Sequence, residues 1–66
     1  MTKVEMFEIE QTGWVLGPEQ WACIHDHFGA NNLEKLDSSK FLEVIKFIRQ
    51  VNRDYYIQEI APMMNK

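Results

Sequence analysis

The rhythm of apolar and polar positions changes partway along the chain. Between residues 4 and 16 it has period two: Phe7 and Ile9 alternate with Glu8 and Glu10, one apolar face against one acidic face. Gln11-Thr12-Gly13 supplies a turn, and Trp14-Val15-Leu16 favours a second strand. A helix starting at Thr2 competes with this reading, because Thr2 and Glu5 have the spacing of a capping box. Against the helix, Val4, Met6, Phe7 and Ile9 scatter around a helical wheel and form no single stripe. The pattern therefore predicts an N-terminal β-hairpin.

From Gly17 onward the rhythm is helical. Pro18 suits the first helical position, and Glu19 beside it faces the positive end of the helix dipole. Trp21, Ile24 and Phe28 then fall on one stripe, and Gly29 is placed to end the helix in a left-handed cap. Leu33 and Leu36, three apart, suit a helical turn that docks two leucines. Asp37, Ser38 or Ser39 then caps a long helix. Along it Phe41, Val44, Ile48, Val51 and Tyr55 recur at helical spacing, flanked by Ile45 and Phe47, with Lys46, Arg49, Gln50 and Arg53 opposite. The pattern predicts that this helix runs to about Ile60 and stops at Pro62, which pushes Ala61 out of helical geometry. Residues 62–66 are expected to fray.

The expected fold is α+β: a hairpin, a short helix, a helical turn and a long C-terminal helix, with an all-α three-helix unit as the alternative. The predicted core is Trp21, Ile24, Phe28, Leu33, Leu36, Phe41, Val44, Ile48 and Val51. With 66 residues the chain makes one domain, 1–66. At 45% hydrophobic and 26% charged residues, it has ordinary globular usage.

The net charge of −3 argues against a dedicated basic nucleic-acid binder. That charge is unevenly spread, with a net of −5 over residues 1–34 and +2 over residues 35–66. No apolar run approaches the roughly 18 residues that a membrane span needs. The N-terminus has no leader pattern, and with a lone thiol at Cys23 the expected compartment is a reducing cytoplasm.

Chemistry is thinly represented. Cys23 and His27 share a helical face with His25 and Asp26 nearby, but no second cluster supplies the ligands a metal needs, so no metal or cofactor is expected. Cys23 and the histidines could also be cast as a nucleophile pair, yet nothing resembles an oxyanion loop or a phosphate-binding loop, and the chain does not read as an enzyme. The acidic face Glu5, Glu8, Glu10 reads as solvated strand positions. The basic ridge Lys46, Arg49, Arg53 would give only weak, salt-dependent phosphate binding. More informative are eight aromatic residues in so short a chain. On the long helix, apolar positions cover more than one side. Ile45, Phe47, Tyr55, Tyr56, Ile60 and Met63 are the expected protein interface, with homodimerisation as its simplest use.

In order, Gly17-Pro18-Glu19-Gln20-Trp21, Phe28-Gly29, Asn32-Leu33-Glu34-Lys35-Leu36 and Phe41-Leu42-Glu43-Val44-Ile45-Lys46-Phe47-Ile48 make a pattern. It resembles the small helical C-terminal modules of phage antirepressor-type proteins and phage single-strand annealing proteins. The resemblance implies a non-catalytic protein-binding module, an adaptor or inhibitor of phage or prophage type, and carries over no catalytic residue. The chain is expected to depart from those modules in having a hairpin in front and no DNA-binding domain attached. The alternative function is a nucleic-acid-associated regulator that uses the basic ridge.

Overall fold

A computed structural model describes residues 1–64; residues 65 and 66, part of the expected frayed tail, lie outside the described residues. The first element is a helix, α1 (Lys3–Thr12), and no strand occurs among the described residues. The predicted hairpin is thereby corrected, and the all-α alternative fits. What decides the matter is the capping box. Thr2 Oγ1 accepts from the Glu5 backbone N–H at 3.1 Å, and Glu5 Oε1 accepts from the Thr2 N–H at 2.8 Å. A helix satisfies its backbone groups within the segment, whereas a lone two-stranded hairpin leaves edges unpaired and is marginal in water.

The second helix, α2 (Pro18–Phe28), follows the sequence reading. The Gly17 N–H donates to Gln20 Oε1 at 3.0 Å. Gly29 takes φ 64°, and its N–H and that of Ala30 close the last turn onto Asp26 and His25. Two 3₁₀ turns follow, Leu33–Lys35 and Ser38–Lys40, capped by Asn32 and Asp37. They deliver the chain into α3 (Phe41–Tyr55).

Pro62 does not stop the helix as predicted. A π-turn, Tyr56–Ile60, continues α3 into a short α4 (Ala61–Met64), and Ala61 keeps helical dihedrals at φ −58° and ψ −41°. Its N–H reaches back five residues to the Tyr56 carbonyl. A proline ring clashes with the carbonyl four residues before it, here that of Gln58, and a widened turn just ahead relieves that crowding.

Two hydrogen bonds fix how α1 lies on α3. Ser38 Oγ donates to Glu5 Oε1 at 2.7 Å near the start of both elements, and Asn52 Nδ2 donates to the Thr12 carbonyl at 2.6 Å at the far end of α1. The two helices therefore run parallel. The reverse direction of α2 is set by Phe28, whose ring meets Phe47 edge-on at 5.6 Å, and by Cys23, which lines a groove with Val51. Between the three helices lie Ile9, Leu16, Ile24, Leu33, Val44, Ile45 and Ile48, all buried, with every other predicted core residue packed around them. Each fully buried isoleucine contributes about 1.5–3 kcal/mol relative to its exposed state. Gly13 permits a close approach here, since a Cβ at that position would stand 2.7 Å from the Trp21 ring and 3.2 Å from Ile48.

Candidate protein interface

A helix turns 100° per residue, so residues placed opposite Ile9 on α1 point away from the core. Val4 and Phe7 do, and the stripe continues through Gln11 to Trp14 and Val15 in the turn that follows. Their exposures are 72% for Val4, 58% for Phe7, 77% for Trp14 and 40% for Val15. The inner stripe, Met6 and Ile9, packs into the core. Thus α1 has two apolar faces, one buried and one facing water. The scatter around the wheel that argued against a helix is what two opposed stripes produce.

Beside the outer stripe lies an open cleft of about 310 Å³ between α1, α2 and the loop after Gly29. Its apolar lining is Met6, Ile9, Trp21 and Leu33, and Glu10 and His25 also line it. The Trp21 ring is held by its contact with Gly13, and its centroid is 6.3 Å from that of His25. Phe7 stands one turn from Glu10 along the helix surface, next to the cleft.

The interface predicted on the long helix is only partly available. Ile45 is corrected outright: it is buried at 8% exposure, because α1 as a helix covers the flank that a hairpin would have left open. Phe47 and Tyr55 are half-buried. Phe47 carries the His27 ring stacked on it, centroids 3.9 Å apart at an interplanar angle of 9°. Ile60 is also half-buried, while Tyr56 and Met63 are exposed, and so are Leu42 and Ile57, which the sequence reading passed over.

The acidic face is also corrected, since the hairpin that aligned Glu5, Glu8 and Glu10 does not form. Glu5 is engaged in the capping box and by Ser38, and these bonds, led by the one from the Thr2 backbone, hold its carboxyl below the ordinary range. Glu8 lines the groove between α1 and α3 with Leu42, Lys46 and Arg49, whereas Glu10 turns to the cleft on the other flank. The basic ridge does persist. Lys46, Arg49 and Arg53 are exposed, and no carboxylate among the described residues lies within ion-pair distance of them; the pair that does form, Lys40 with Glu43 at 3.6 Å, leaves them out.

Cys23 is exposed, and among the described residues no three histidine, cysteine or acidic side chains converge on a point that could hold a metal ion. No helix among them is long and apolar enough to cross a membrane. No family model, no curated protein and no solved structure compared with the chain matches it.

Proposed function

We propose that the chain is a non-catalytic protein-binding module that works through the outer stripe of α1. The observation that carries this is the set Val4, Phe7, Trp14 and Val15, four apolar side chains held on a rigid helix and its capping turn and left in water. Two of the four are aromatic, the residue types that dominate binding energy at protein interfaces. Leaving them exposed forgoes roughly 25 cal/mol for each Å² of apolar surface, a cost that a partner removes. An adaptor or inhibitor role of the phage type that residues 17–48 resemble accords with a small rigid body presenting one apolar helix face.

A second reading rests on the ridge Lys46, Arg49, Arg53, three cations with no carboxylate at ion-pair distance among the described residues, which suits an acidic partner or a nucleic-acid backbone. One experiment separates the two. The immobilised chain and its Phe7→Ser/Trp14→Ser variant are each exposed to a cell lysate, and the retained material is analysed by mass spectrometry. A protein held in stoichiometric amount by the parent and lost from the variant supports the α1 reading. Equal retention by both overturns it, and release by nuclease would favour the ridge.

A further inference from the structure

We infer that the outer face of α1 is covered by a second copy of this chain, the two α1 helices packing antiparallel about a two-fold axis. This rests on the protein-binding reading above and names its partner. The face can cover itself. Phe7, 58% exposed, stands at its middle, one helical turn from Val4 and from Gln11. A two-fold axis that crosses α1 beside Phe7 sets the two Phe7 side chains against each other, so that one patch satisfies itself. Aromatic side chains at the centre of a contact are also the form that interface anchors take.

The face is self-complementary in charge as well. Lys3 and Glu10 are both exposed and stand seven residues apart, on one flank of α1 to within about 20°. In an antiparallel pair each Lys3 meets the partner's Glu10, and the same register brings Phe7 against the partner's Phe7 beside the axis. The α3 ridge has no such property, because Lys46, Arg49 and Arg53 would only repel their own copies. Glu8 lies on the opposite flank of α1, in the groove shared with α3, and stays outside the contact.

Sedimentation equilibrium of the whole chain, from about 1 μM to about 1 mM, tests this. The expected mass rises toward twice 7.9 kDa. Phe7→Ala should weaken the dimer about 30-fold, the usual scale for losing an anchor. Lys3→Glu and Glu10→Lys should each weaken it about tenfold, since two symmetric attractions become repulsions. The double variant Lys3→Glu/Glu10→Lys should recover the parent affinity. Neither exchange harms the helix, because an acid in the first turn and a base near the last both suit the dipole, and circular dichroism verifies that α1 is retained. A mass fixed at 7.9 kDa, a dimer indifferent to Phe7→Ala, or a double variant that fails to recover would each overturn the inference. A monomer whose lysate capture still depends on Phe7 and Trp14 overturns self-pairing alone and leaves the protein-binding reading standing.

Discussion

α1 and α3 run parallel and share one core, yet they use their apolar residues in opposite ways. On α3, Val44, Ile45 and Ile48 are buried on one side, Phe41, Val51 and Tyr55 pack around them, and the far side carries Lys46, Arg49, Gln50 and Arg53. On α1 the apolar residues divide between Met6 and Ile9 inside and Val4 and Phe7 outside. A helix with one buried face announces itself by its period, and a helix with two does not. The contrast teaches that weak amphipathicity in a short helical segment is itself a signal, of a face reserved for something other than the core.

The strongest way to break this comparison is to remove matched side chains from the two inner stripes. Ile48 on α3 has 0% exposure and Ile9 on α1 has 1%, so both substitutions leave cavities in the same core. Ile48→Ala and Ile9→Ala should each cost about 2–5 kcal/mol. Against the total of about 3–10 kcal/mol typical of a chain this length, either change should remove on the order of half of the stability and lower the unfolding midpoint in urea in proportion. An Ile9→Ala protein that unfolds at the parent midpoint would show that α1 is not anchored by its inner stripe.

The same contrast explains what could be read in advance. From Gly17 to Tyr55 the sequence shows a proline at a helix start, a glycine at a helix end and one stripe of large apolar residues, and each of these produces the element it predicts. Four features do not follow from that pattern. The capping box of Thr2 and Glu5 outweighs an alternation over Phe7–Glu10 that only Ile9, buried between exposed Glu8 and Glu10, satisfies. The covering of Ile45 depends on the same element, because a helix closes over a flank that a hairpin leaves open. Passage of the helix through Pro62 depends on the π-turn, a backbone adjustment with no residue signature of its own. The outer stripe of the candidate site, Val4, Phe7 and Trp14, is hidden from a pattern search that expects one apolar face on a helix.

Gly13 sharpens the comparison at the point where α1 gives way to the turn. Its missing side chain lets the Trp21 ring and Ile48 close over the end of the helix. Gly13→Ala would place a methyl group 2.7 Å from Trp21 Cζ2, nearer than such contacts allow, and should cost about 1–3 kcal/mol by overpacking. The backbone there has φ −106°, open to any residue, so the loss would come from packing alone. In a Trp14→Phe background, where Trp21 alone emits, the tryptophan fluorescence spectrum should shift as well, and an unchanged melting temperature would mean that the ring has room to move.

The mildest effect concerns the cap that makes α1 a helix in the first place. The Glu5 carboxylate lies below its ordinary value of 4.5, first because the Thr2 backbone N–H donates to it and then because the Ser38 hydroxyl does. A carboxyl whose value is lowered by folding adds stability that is fully present above 4.5 and is lost as the pH falls through the folded value. Asp37, lowered in the same direction by Ser39 at the entry to α3, titrates with the same sign, so the parent slope alone does not assign the effect. Glu5→Gln does. Its amide oxygen still accepts from Thr2 and Ser38, while the titrating charge is gone. Above 4.5 the variant should melt slightly below the parent, and the gap should close as the pH falls through the folded value of Glu5, leaving the slope that belongs to Asp37. Melting curves of the two proteins across that range measure the gap. A gap that does not change with pH would mean that the charge of Glu5 takes no part in capping α1, and that the Thr2 hydroxyl and the inner stripe hold the helix without it.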